Sequence, residues 1–480
     1  MKRRLSAALI FIVVFSALSM FTIQSSELET EYQSRKTIIV DNSGNPETLT
    51  NYQVFINVTY DSDMQADFDD LRFTWYDETS DEEVDIDYWL DKYIDSEYAL
   101  VWVEVPEIRG AGQEVLYVYY GDPDAGSESN GEETFVFFDG FSTDTTANYH
   151  LWSPYYPTGN PNEFSWDPNG WLFVNASIRE QSGRNSNVHV YHTTAVMDPT
   201  EDQYWLETRC KAFGDGWLDY LGACNLFKRD SMPQNMYFRW AHVAQGIRDV
   251  YPMNRCRLSG GWGSWEFEDR SDLPMPVIDP WFRIGLGTAS DGTVIGSYRD
   301  DDYGELATLV CHTIHQDVKW WVDLVISRIL TDDWATMHAY FDYVRVRKFT
   351  DPEPSYTIWL PATVDVDPDT LNLKNNGQWI TAYIELPEEC SPTEIDVSSI
   401  LLNESISVDP EAPTAIGDHD GDSIPDLMVK FERAAVIALL GTHDYGEDTG
   451  KSVEVALVIT GEAAGTPFEG VDTIRVLLKS

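Results

Sequence analysis

Basic residues are scarce in this chain. Lys and Arg number 32 against 81 Asp and Glu among 480 residues, a formal charge of -49 at pH 7. A surface of that sign repels nucleic-acid phosphates and anionic lipid headgroups, which excludes nucleic acid and lipid surfaces as partners of the folded part. Cations are its natural counterparts, in a halophilic or calcium-rich setting, although acidity also serves plain solubility. Cysteine is scarcer still, and five in a chain of this length do not make a disulfide scaffold. Cys210, Cys224, Cys256 and Cys311 lie in the middle region, where three pairings can be drawn, and Cys390 stands apart. No cysteine near the N-terminal segment offers a lipid anchor, and no GxSxG elbow supports an esterase. No internal repeat has a solenoid or propeller period. From Arg35 to Tyr120 no window sustains a helical period.

The exception to the acidity comes first. Lys2, Arg3 and Arg4 precede an apolar stretch from Leu5 to Phe15 and then Ser16-Ala17-Leu18-Ser19. Basic flank, apolar core and small residues form the pattern of a secretory signal over residues 1–26. The competing reading is an uncleaved anchor, since apolar character continues through Met20, Phe21 and Ile23. Either way the rest of the chain is expected outside the cytoplasm, secreted or at the cell surface, meeting membrane only through this segment. The sequons at Asn57, Asn175 and Asn403 are compatible with glycosylation after export.

Length suggests roughly three domains, and the patterning divides the remainder accordingly. Residues 27–122 read as short strands: Val84 to Leu90 alternates with period two, and Ala99–Val105 and Val115–Tyr120 are β-branched or aromatic runs. Turn formers and acids then mark a linker over 123–134. Residues 135–352 hold most of the tryptophans between Phe137-Phe138-Asp139-Gly140-Phe141 and Phe341-Asp342-Tyr343-Val344. A second linker, 353–361, includes Glu353-Pro354, and 362–480 form the last domain. There Ile380, Ala382, Ile384 and Leu386 share one strand face, and a short helix is expected over Glu432–Leu440. The expected fold class is all-β: a small sandwich, a jelly roll and an Ig-like sandwich in tandem.

Three resemblances bear on these units. Leu49 to Val54, Asp69-Asp70-Leu71-Arg72-Phe73, Tyr88-Trp89, Val101 to Pro106 and Tyr119-Tyr120-Gly121 resemble an uncharacterised extracellular domain of archaeal and bacterial secreted proteins. That resemblance implies a β-sandwich found beside lectin-like modules, with no activity to carry over. The edge motifs of the middle region resemble a laminin-G or concanavalin-type jelly roll. Trp379 to Pro387 and Asp472 to Val476 resemble a C-terminal sandwich module of similar secreted proteins.

The strongest chemical signal is the loop Asp418 to Asp426, with carboxylates at positions 1, 3, 5 and 9 and Gly421 at its sharpest turn. A hard cation such as calcium needs several oxygens, and this spacing supplies them. The loop resembles the DxDGDxxxD calcium loops of integrin-type propellers. By that resemblance Asp418, Asp420, Asp422 and Asp426 would be side-chain ligands and Ile424 would offer its carbonyl, in a structural role. It departs from an EF-hand, because position 12 is Val429 and a strand follows. A solvated acidic turn is the plain alternative. A second acidic run, Asp61, Asp63, Asp67, Asp69 and Asp70, lacks an ordered turn glycine and reads as solvated loop. His189 with His192, and Cys311 with His312 and His315, have zinc-like spacings without a second matching pair, so ordinary strand residues are expected.

For the middle domain, Trp217, Trp240, Trp262 and Trp265 are the tryptophans near glycine or charge, and they are the candidates to stack on sugar rings. The enzyme reading uses Glu266, Glu268 and Asp269, since jelly rolls also host glycoside hydrolases with acids on alternate strand positions. Their order, Glu-Phe-Glu-Asp, departs from the ExDxE hydrolase pattern. The expectation is a non-enzymatic secreted or surface protein that binds glycan or another surface ligand through the jelly roll. A purely structural envelope or stalk protein and a glycoside hydrolase are the rivals.

Overall fold

The computed structural model describes residues 32, 34–152, 163–179, 186–197, 202–215, 220–228, 242–250, 253–260, 267–272, 281–288, 294–311, 319–328, 334–374, 377–387, 390–441 and 452–477. The expected signal segment, 1–26, lies outside them. The described residues form mostly antiparallel strands in six sheets, which pack in pairs as three β-sandwiches.

In the first sandwich a three-stranded sheet centred on Tyr98–Ile108 faces a five-stranded sheet containing Ser34–Asp41 and Gln113–Tyr120. Ile38, Val40, Val54, Ile56, Val101, Val103 and Val118 fill the space between them. The middle unit pairs an eight-stranded with a seven-stranded sheet, the extent of a jelly roll. Its long central strand Trp334–Lys348 pairs with Trp171–Arg179 on one side and Tyr204–Asp215 on the other. The last unit has six- and four-stranded sheets. Alternation decides which face is inward there: Trp379–Glu385 buries Ile380, Ala382 and Ile384 and leaves its other residues part-exposed. Burial of each of the two isoleucines contributes on the order of 1.5–3 kcal/mol. The hairpin Ser452–Ala463 and Thr466–Leu477 closes at Ala464-Gly465, both with positive φ, the geometry that matches strand twist. A helix spans Arg433–Gly441, the expected one shifted by one residue toward the C-terminus.

Both expected linkers prove to be built into the fold. Within 123–134, the carbonyls of Ala125 and Gly126 accept from Gln65 and Arg72 at 2.9 and 2.8 Å, and Ser129 Oγ accepts from Leu90 N at 2.8 Å. Asn130 caps the one-turn helix Gly131–Thr134. Within 353–361, Ser355–Ile358 joins the first sandwich as an edge strand beside Ser34–Asp41, and Leu360–Pro361 runs parallel to Thr466–Leu477 of the last. Gly470 permits that second approach, because a Cβ there would lie 2.3 Å from the Ala362 carbonyl oxygen. The prolines and acids that signal a linker mark two short edge pairings instead.

The outward face of the eight-stranded sheet positions everything that follows. Leu172, Val174, Cys210, Ala339, Phe341, Val344 and Val346 point into the jelly-roll core. Their neighbours point away, and part of that outer face is covered by the first sandwich. There Arg283 pairs with Asp91 at 2.9 Å, Arg345 with Glu207, and Arg347 with Glu353 through a fork of 2.8 and 2.9 Å. All three guanidiniums are almost fully buried. Arg345 lies 4.4 Å over the Trp102 ring and 5.3 Å over Trp89, and Trp89 packs on Tyr343 at 5.1 Å. Burial pushes the Glu207 carboxyl upward, but the guanidiniums of Arg345, Arg299, Arg283 and Arg347 outweigh it and hold the group below its ordinary range. Paired charges and aromatic faces are thus prominent in this interface.

Candidate functional site

The rest of that outer face remains open. Trp171 and Phe173 come from one strand, His338 and Tyr340 from the next, and Lys211 from the third, with Trp281 just before the fourth, Phe282–Thr288. Strand alternation places each on the outward side, and cross-strand register brings them together: Phe173 and Lys211 both stand opposite Tyr340. Trp171 meets Trp281 and Tyr340 edge-on, both at 5.4 Å, and Phe173 stacks on His338 at 5.5 Å. Lys211 Nζ sits 4.5 Å from the Trp281 ring centre, 4.6 Å from Trp171 and 5.2 Å from Tyr340. All six side chains are half-exposed. Beside them Arg209 is held by Asp301 at 2.5 Å and Asp342 at 2.7 Å and stacks on Trp281 at 4.6 Å. The arrangement offers aromatic faces, one ammonium and one guanidinium on a rigid sheet, the parts needed to hold a ring that is apolar on one face and hydroxylated at its rim.

A second arrangement lies in the last sandwich. The loop between Ala415–Gly417 and Asp426–Glu432 turns through Gly421 at φ +88° and Ser423 at φ 84°. Asp418 accepts from Gly421 N at 2.7 Å and from Ser423 N at 3.2 Å, and Asp422 accepts from Ile424 N at 2.7 Å. Two groups of carboxylates have oxygens within 4.8 Å of one another: Asp418, Asp420 and Asp422, and Asp420, Asp426 and Glu385. Glu385 ends the neighbouring strand and was not legible in the loop. One of its oxygens is buried without a hydrogen-bond partner. Burial and the Asp422, Asp420 and Asp426 carboxylates push its pKa up to about 7. His419 stacks on Tyr383 at 3.4 Å and reaches Asp365 at 3.1 Å, fixing the loop's flank. The Ile424 amide is thus engaged on Asp422, and the donor set is the one a hard cation takes.

Other sequence candidates separate from these two places. Trp217, Trp240, Trp262, Trp265 and Glu266 lie outside the described residues, as do His312 and His315. Glu268 and Asp269 belong to the strand Phe267–Asp272, opposite Ser259 and Leu258. His189 bonds the buried Asp323 at 2.8 Å, whereas His192 packs against Phe137 and Tyr149, so the two histidines do not converge. Asp61 pairs with Lys36 at 2.9 Å, and Asp70 accepts from Gln65 N and Gly121 N. Among the sequons Asn57 is exposed, Asn175 donates to Glu163 at 3.0 Å, and Asn403 accepts from Val458 N at 2.9 Å.

A family model described as a domain of unknown function, DUF2341, matches residues 67–155. It begins inside the first sandwich and runs through Asn130 to the first strands of the middle unit. No curated protein matches the chain. Among solved structures, a legume lectin-like domain from Entamoeba histolytica is similar at 9% identity and a TM-score of 0.28, covering 42% of this chain and 91% of that one. Lectin II from Ulex europaeus is similar at 7% identity and a TM-score of 0.30, covering 44% and 97%. A structure titled for endo-acting O-glycanases of the human gut microbiota is similar at 14% identity and a TM-score of 0.30, covering 45% and 99%.

Proposed function

We propose that this is a non-enzymatic secreted or cell-surface protein that binds carbohydrate through the open half of the jelly roll's outer face, with a structural calcium site in its last sandwich. The observation that carries the first part is the convergence of Trp171, Trp281 and Tyr340 around Lys211. Half-exposed rings can stack on the apolar face of a pyranose, while Lys211 and Arg209 donate to its hydroxyls. Ion pairing and edge-on packing hold these groups in place before a ligand arrives, which lowers the ordering cost of binding. Calcium is supported by Glu385, which adds a fifth carboxylate to the four of the loop. Bound there, it would neutralise a crowded cluster and clip the loop to the adjacent strand.

The test is a glycan array probed with the full-length protein, with and without a chelator. The reading expects capture of at least one glycan in calcium; no capture in either condition would leave the structural envelope protein as the better account. Incubation of any captured glycan with the protein addresses the enzyme alternative. Cleavage lost in Glu266→Gln or Glu268→Gln would replace binding by hydrolysis.

A further inference from the structure

The junction between the first sandwich and the jelly roll holds a cavity of about 340 Å³. Phe55, Trp102, Arg299, Arg347, Glu353 and Tyr356 are among the residues that line it. Its position is fixed by register. Tyr343, Arg209, Arg283 and Arg299 stand directly opposite one another across four strands, so three guanidiniums cross the outer face in one row. Arg209 is paired with Asp301 and Asp342, and Arg283 with Asp91. Arg347, four residues along the strand from Tyr343, is forked onto Glu353. Among the described residues Arg299 makes no ion pair: its guanidinium lies 5.9 Å from the Tyr303 ring, acts on the buried Glu207 carboxylate from beyond ion-pair distance, and stands opposite Glu305 in the register. In a chain with 81 acidic residues, an arginine left over beside three satisfied ones is an unusual use of a scarce cation.

The remaining lining is already committed elsewhere. Tyr52 Oη donates to Glu353 at 3.3 Å, Tyr356 Oη accepts from Asn57 N at 2.9 Å, and Trp102 Nε1 donates to Tyr303 Oη at 3.2 Å. Phe55 packs against Trp102 at 5.1 Å and Tyr303 at 4.6 Å. The cavity thus has a rigid aromatic wall, hydroxyl and carboxylate acceptors at its rim, and, among the described residues, one guanidinium without an ion pair of its own. Its volume falls low in the roughly 300–1,000 Å³ range of small-molecule pockets, room for a ligand of monosaccharide size.

From these features we infer a second binding site, for a sugar ring bearing a carboxylate. The ring lies against the part-exposed Phe55, which Trp102 backs, and its carboxylate takes parallel hydrogen bonds from Arg299, a geometry a guanidinium offers and an ammonium does not. The acidity of the chain as a whole does not forbid this, because charges farther off than about 8 Å are largely screened at physiological ionic strength. The site is independent of the aromatic face around Lys211 and stands on different residues.

Calorimetric titration of the full-length protein with D-glucuronate, D-glucose and acetate tests it. Glucuronate should bind at least tenfold more tightly than either of the others. Arg299→Ala should bring glucuronate to the glucose value, with Arg299→Lys between the two, while Lys211→Ala leaves it unchanged. An unaltered melting midpoint in Arg299→Ala establishes that the fold is intact. The inference is overturned if glucuronate fails to bind, if glucose or acetate binds as well, or if Arg299→Ala has no effect. Loss of glucuronate binding in Lys211→Ala would assign the acid to the other face and also overturn it.

Discussion

Replacing Glu385 by Gln should stabilise the last sandwich without calcium and weaken its response to calcium. The two effects share one cause. Glu385, Asp420 and Asp426 have oxygens within 4.8 Å of one another. Two unit charges at that distance repel by about 1 kcal/mol at the dielectric of water and about 3.5 kcal/mol at an effective value near 20. The Asp420 side chain is exposed and Glu385 is half-exposed, so the lower figure applies and salt reduces it further. The neutral amide therefore raises calcium-free stability by up to about 1 kcal/mol. It also removes one anionic oxygen from the cation's shell, which should cost about tenfold in affinity, or about 1.4 kcal/mol. At a calcium concentration 100 times its dissociation constant the native chain gains about 2.7 kcal/mol, whereas the variant, then at about ten times its own, gains about 1.4. The variant's initial advantage is erased. Hydrogen exchange of the strands Trp379–Glu385 and Asp426–Glu432, followed by mass spectrometry across a calcium titration, reads both quantities in the full chain. Weaker protection of the variant without calcium, or an equal calcium gain in both proteins, would refute the reasoning.

The same carboxyl sets a pH dependence. Its folded pKa, about 7, lies above the ordinary 4.5, so its contribution to stability is complete below about 4.5 and is lost as pH rises through 7 in calcium-free buffer. Calcium should reverse that slope, binding more tightly as pH rises from 5 to 7 and releasing a proton, which buffer-dependent calorimetry detects; a pH-independent affinity would count against Glu385 as a ligand. At the domain junction, Arg345→Met leaves Glu207 buried beside one fewer guanidinium, and urea unfolding should show a loss of about 3–5 kcal/mol for the unit that contains both. A loss below 1 kcal/mol would mean that the remaining arginines compensate.

The fold class was legible because alternation is local. Ile380, Ala382 and Ile384 declare their face within one strand, and the loop from Asp418 sets out its four carboxylates within nine positions. What the sequence hides is what register assembles. Glu385 reaches the loop only because its strand lies beside Asp426–Glu432, and no pattern near Glu385 announces that neighbour. Arg283, Arg345 and Arg347 occupy outward positions that alternation assigns to solvent, yet a second domain covers them. Trp171, Lys211, Trp281 and Tyr340 likewise come from separate stretches of chain, and only register brings them together. The linker residues misled for a related reason, since Ser355–Ile358 is too short to read as a strand without its partner Ser34–Asp41.

The central claim is that the open outer face of the jelly roll binds sugar. It is tested most directly by the affinity of Trp281→Ala and Lys211→Ala for a glycan that the native protein captures. The account predicts at least a tenfold loss in each, with the melting midpoint and the response to calcium unchanged. Native affinity in both variants would contradict it.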